Sequence, residues 1–121
     1  MYKLVTTLTM TAVAFLGPVV PANAYTYNHG AISIGNNGTY AAIVVDYPTW
    51  QEATVAANNR CGYTDCGWVI TFMNQCAAAA VSSSGHWGWA RESSIGYADR
   101  VALDWAGAGA QVIVHGCTSG S

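Results

Sequence analysis

The sequence predicts an α+β domain built from two ββαβ units: an antiparallel-type sheet of about six strands, two helices packed on one face, and two disulfides. Three observations predict it. The same order of strand, turn, strand, helix and strand occurs twice along the chain, roughly over 29–74 and 75–118. All four cysteines lie downstream of a segment with the pattern of a secretory leader. Both helical stretches carry one narrow apolar stripe, which needs a sheet to cover it.

The leader comes first. "MYKLVTTLTMTAVAFLGPVVPANA" has a short n-region with Lys3, an apolar run from Leu4 to Val20, a break at Pro21, and small residues at Ala22 and Ala24. Cleavage after Ala24 is expected, leaving one secreted domain over 25–121. No cysteine follows that site and no second apolar run has membrane length, so the mature chain is expected to be soluble, either extracellular or associated with the periplasm or cell wall. Its only basic residues are Arg60, Arg91 and Arg100, against six acids. Three scattered arginines build neither a basic patch nor a basic helix, which argues against nucleic-acid and anionic-membrane partners.

The first unit opens with "GAISIGNNGTYAAIVV", a strand, a turn at Asn37-Gly38 and a second strand. "PTWQEATVAANNRC" follows as a helix, with Thr49 and Glu52 spaced as a capping box and Gly62 placed for a left-handed exit. "GWVITFM", β-branched and aromatic, reads as the third strand. In the second unit "CAAAAVSSSGHWGWA" is strand, Ser/Gly turn and strand. Ser94 caps a helix whose apolar face is Ile95, Ala98, Val101, Ala102 and Trp105, with Arg100 and Asp104 positioned to pair at i, i+4. "AQVIVHGC" closes the unit. The two units align Gly38 with Gly85, Tyr40 with Trp87, Ala53 with Ala98 and Ala57 with Ala102.

Four cysteines allow three pairings. Cys66 and Cys76 bracket "GWVITFMNQ", which as extended chain holds them roughly 30 Å apart. A disulfide needs α-carbons within about 7 Å. Cys61 lies at the near end of the same strand, so Cys61–Cys76 fails as well. Cys61–Cys66 with Cys76–Cys117 survives. A zinc site is the competitor, because Cys61 and Cys66 approach a finger spacing. It would strand Cys76 with no second close Cys/His pair, in an oxidising compartment. No metal site is expected.

With these residues in view, the chain resembles the domain-of-unknown-function family 4189, small secreted bacterial proteins frequent in mycobacteria and related actinobacteria. "HGAISI", the helix ending in cysteine, "CGWVITF", the strand opening "CAAAA", "GWA", the alanine-rich helix and "VIVHGC" carry the resemblance, over roughly 29–118. The chain departs in having His29 where tyrosine is usual, and in a second helix without a cysteine at its end. The resemblance implies secretion and a bridged fold. It implies no activity, so no catalytic residue is carried over.

Direct signals for chemistry are sparse. His29, His86 and His115 have no paired metal-ligand spacing. "SSSGH" sets serines beside His86 but lacks a nucleophile elbow, and a hairpin calls for Ser and Gly there anyway. The spacing of Asp46, Glu52, Asp65, Glu92, Asp99 and Asp104 selects no pair facing across a cleft. Asn37-Gly38-Thr39 is a glycosylation acceptor sequence that reads better as hairpin chemistry. Aromatic residues remain. "GHWGWA" puts Trp87 and Trp89 on one face of a strand beside His86, where they form a binding platform or pack as core against the helices. No catalytic residue and no cofactor is assigned.

The expectation is a non-enzymatic interaction or binding protein, with an unknown protein or a cell-wall glycan as partner. The alternatives are a secreted hydrolase using a histidine and a carboxylate, and a structural envelope protein. A cleft holding a histidine within hydrogen-bond reach of an acid favours the enzyme. An exposed tryptophan surface favours binding.

Overall fold

The computed structural model describes residues 27–120. The leader and its cleavage site lie outside the described residues. Eight elements follow in order: β1 (His29–Gly35), β2 (Tyr40–Tyr47), α1 (Trp50–Cys61), β3 (Trp68–Met73), β4 (Cys76–Val81), β5 (Trp87–Glu92), α2 (Ile95–Ala106) and β6 (Gln111–Cys117). These are the two ββαβ units, and the α+β class holds.

Local chemistry sets most of the boundaries. The Thr49 hydroxyl accepts the Glu52 amide at 3.1 Å and starts α1, and Gly62 at φ 78° ends it. Ser94 accepts the Tyr97 amide at 3.3 Å and starts α2. The first hairpin turn is wider than Asn37-Gly38 alone, because Asn36, Asn37 and Gly38 all take left-handed φ. The Asp65 carboxylate holds that turn, accepting the Asn36 amide at 2.7 Å and the Asn37 amide at 2.8 Å. Those two donors, Asn37 first, hold the Asp65 pKa below its ordinary value. The Arg100–Asp104 pair does not form: Arg100 sits instead over the Tyr97 ring, 6.0 Å from its centroid.

The six strands divide into two three-stranded antiparallel sheets rather than one. Their orders are β2-β1-β3 and β5-β4-β6, so the first strand of each unit is central. Each helix covers the outer face of its own unit's sheet, and the inner faces meet. The inner core is Ile32, Ile34, Ala41, Ile70 and Phe72 against Ala77 and Ala79, with Trp87 and Val114 packed at its side. Outside the first sheet Ala31 meets Ala53 and Ala57 of α1. Outside the second, Ala78, Ala80 and Ala90 meet Ala98, Ala102 and Ala106 of α2. The layers therefore run helix, sheet, sheet, helix.

This layering explains the alanine run of β4. The strand is buried on both faces, between α2 and the other sheet, so both faces need small side chains and no polar alternation survives. Two glycines serve the same close packing. The Phe72 ring lies over Gly30, its register partner on β1, and α2 lies directly on Gly88 of β5.

The disulfides are Cys61–Cys66 and Cys76–Cys117. The second joins register partners on β4 and β6. Each bridge stays within its own unit. The units are tied to each other by the core and by side chains: the Trp87 indole Nε1 donates to the Gly38 carbonyl at 2.8 Å. At the C-terminal end Asp46, held at φ 68°, accepts the Ser119 amide at 2.7 Å and its hydroxyl at 2.8 Å.

Candidate functional site

A concave surface lies between β5 and α2. Six consecutive residues of β5 line it, Trp87 to Glu92, together with Val101 and Trp105 of α2. Its volume is about 460 Å³, within the usual range for ligand sites. The geometry begins at Gly88. Because this residue has no side chain, the backbone of α2 at Ala102 and Ala106 rests directly on β5. The next ridge of the helix, Val101 and Trp105 at i, i+4, then stands beside the strand. Trp105 is 70% exposed, although its spacing puts it on the apolar stripe expected from sequence. Ala98, Ala102 and Ala106 are the residues that meet the sheet.

Alternation along β5 assigns the two faces. Gly88 and Ala90 face α2, while Trp87, Trp89 and Arg91 face the other sheet. Trp87 is half-buried in the inner core and its indole N–H donates to the Gly38 carbonyl. Trp89 is exposed, with the Arg91 guanidinium 5.2 Å from its ring centroid, a cation–π arrangement. Arg91 also donates to the Thr71 carbonyl of β3 at 3.1 Å. No carboxylate among the described residues lies within ion-pair distance of Arg91. Its remaining donors are free to meet a ligand.

Arg91 also lines a second groove with His29, Trp50, Thr71, Met73 and Gln75. Trp50 and Met73 are exposed there. The two grooves thus share one arginine and carry exposed tryptophans on either side of it. Trp50 and Trp105 had no sequence signal that separated them from core residues.

Histidines and acids are dispersed. His86 is exposed in the β4–β5 turn, where its amide bonds to the Ser82 hydroxyl at 3.0 Å. His115 on β6 holds Asp99 of α2, Nδ1 to carboxylate 2.9 Å, a pair that bridges strand and helix across 16 positions. Asp46 and Asp65 are engaged elsewhere, at Ser119 and at the first hairpin turn. Among the described residues no group of three or more His, Cys, Asp or Glu is arranged to hold a metal ion. No described helix is long and apolar enough to cross a membrane.

A family model described as "Domain of unknown function (DUF4189)" matches residues 29–117, nearly all of the described chain. No curated protein and no solved structure matches it.

Proposed function

The chain belongs to the family described as a domain of unknown function (DUF4189), and from that premise we propose that it is a secreted, non-enzymatic interaction domain that seats its partner in the groove between β5 and α2. The observation that carries this reading is Trp105. It stands 70% exposed on the wall of a groove that also presents Trp89 and an arginine without a carboxylate partner among the described residues. Large aromatic side chains left in water beside a positioned arginine are the composition of binding hot spots. Secretion is supported by two disulfides, which persist in oxidising compartments, and by the leader pattern ahead of Tyr25. The partner is a protein or a cell-wall glycan. Nucleic acid and membrane are left aside on charge.

The test uses the disulfide-bonded protein as bait against culture supernatant and cell wall, beside its Trp105→Ala variant. A partner retained by the first and lost from the second supports the groove, with an expected loss of about 2 kcal/mol or more. Equal retention refutes it. Sequencing of the secreted product should begin at Tyr25, and an intact Met1 would remove the secretory part of the reading.

One observation favours a second reading, hydrolysis: His115 and Asp99 are within hydrogen-bond reach. That pair lies at an exposed strand–helix junction, and no hydroxyl group bonds to the histidine among the described residues. It reads better as a clasp between α2 and β6. Turnover of an ester or peptide substrate that His115→Ala abolishes would reverse this order.

A further inference from the structure

The groove between β5 and α2 has one wall of a particular kind. Six consecutive residues line it, from both faces of β5, so the cavity follows the strand's edge rather than one of its faces. β5 is the outer strand of the order β5-β4-β6, so that edge has no strand beside it among the described residues.

The backbone groups on this edge can be assigned. The Ser82 amide donates to the His86 carbonyl at 2.9 Å, which makes Ser82 and His86 a hydrogen-bonded pair at the hairpin end. In an antiparallel ladder such pairs alternate with non-bonded ones. Following the register, Ala80–Gly88, Ala78–Ala90 and Cys76–Glu92 are bonded, whereas Val81–Trp87, Ala79–Trp89 and Ala77–Arg91 are not. The N–H and C=O groups of Trp87, Trp89 and Arg91 therefore point outward into the groove. The pairing of β5 with β4 has no bulge to twist this edge away, unlike the register shift at Ala79/Ala80 on the β6 side.

From this geometry we propose that the occupant is an extended peptide that adds to β5 as a fourth strand of the second sheet, a mode that rests on the groove reading above. Main-chain bonds to Trp87, Trp89 and Arg91 supply affinity, and the two walls supply selectivity. Successive side chains of an added strand point to opposite faces. Those on the α2 side meet Val101 and Trp105 and should be apolar. Those on the other side meet Trp89 and Arg91, where a carboxylate matches the donors of the guanidinium that the Thr71 carbonyl leaves over. The ligand code is thus an apolar and an acidic residue at odd spacing, one or three positions apart, without proline between them. A glycan has no amide row to meet this edge, so the peptide is preferred.

The experiment pans a phage-displayed random dodecapeptide library against the disulfide-bonded protein, then titrates the synthesised winners. Enriched peptides should carry the odd-spaced apolar and acidic pair, and should protect the Trp89 and Arg91 amides from hydrogen exchange. Trp89→Pro and Trp89→Ala both remove the indole, but only proline removes the outward N–H, and no internal ladder bond is lost in either. The proline variant should bind about fivefold to tenfold more weakly than the alanine variant. If it fails to fold, alternate N-methylation of the peptide asks the same question from the ligand side. Absence of any enriched peptide overturns strand addition. Binding lost in Trp105→Ala, with no amide protection and equal affinity for the proline and alanine variants, overturns strand addition while the groove reading stands. Amide protection with affinity unchanged in Trp105→Ala does the reverse.

Discussion

Replacing Gly88 with alanine tests the contact on which the groove is built. A β-carbon at this position would fall well inside contact distance of the Ala102 carbonyl oxygen and the Ala106 nitrogen, and 2.9 Å from the Trp105 carbonyl carbon. All three are helix backbone atoms, so no rotamer change relieves the overlap. Since relaxed carbon contacts lie at roughly 3.5–4.0 Å, α2 must withdraw by about 1 Å. A gap of that size forfeits about a quarter to a half of the dispersion energy at the interface it opens. The centre of the interface is alanine on alanine, Ala98, Ala102 and Ala106 of α2 over Ala78, Ala80 and Ala90 of the sheet, and a methyl group cannot reach into the space that opens. Overpacking commonly costs about 1–3 kcal/mol, and the rigid obstacle puts Gly88→Ala near the upper end. For a domain of this size that corresponds to a fall in Tm of about 15 °C, read by circular dichroism with the disulfides intact. Gly96→Ala is the control: it lies in α2 with nothing within 4 Å of an added β-carbon, and should gain up to about 1 kcal/mol. A Gly88→Ala melt within about 2 °C of the parent would refute direct docking of α2 on β5, and with it the origin of the groove wall.

The tryptophans should separate by role. Trp87→Ala should cost about 3 kcal/mol in urea unfolding, since it empties part of the inner core and orphans the Gly38 carbonyl, while Trp105→Ala should stay within about 0.5 kcal/mol. Cys76→Ala/Cys117→Ala should cost about 4 kcal/mol and Cys61→Ala/Cys66→Ala about 2 kcal/mol, because the bridges span 41 and 5 positions; equal losses would contradict the loop-closure account. The Asp65 pKa is lowered in the fold, so its contribution is complete above the ordinary carboxylate value and is lost as pH falls through the folded value, below about pH 4. Asp65→Asn should therefore flatten part of the acid limb of Tm against pH, and an unchanged limb would show that the turn does not depend on the charge.

What the sequence determined by itself is local or covalent. Thr49, Gly62 and Ser94 act on amides and carbonyls three or four residues away, so helix ends were readable from neighbours alone. The cysteine pairing was readable because a strand's length excludes its two ends from one bridge. The tertiary structure decided which faces meet. Alanines carry no alternation, so Ala77 to Ala80 could not announce that β4 is covered twice, by α2 and by a second sheet. For the same reason a single six-stranded sheet and two facing sheets of three were equally consistent with the strand count. Trp105 reads as apolar stripe and Trp87 as a platform partner, yet three alanines bring α2 so close to Gly88 that the indole of Trp105 is left outside. Trp87 is drawn into the core by the Gly38 carbonyl, 49 positions away. The groove arises from the same cause. It exists because a strand edge, a helix ridge and an arginine with no carboxylate partner among the described residues converge, and that convergence depends on packing distances between distant segments, which residue patterns within one segment do not encode.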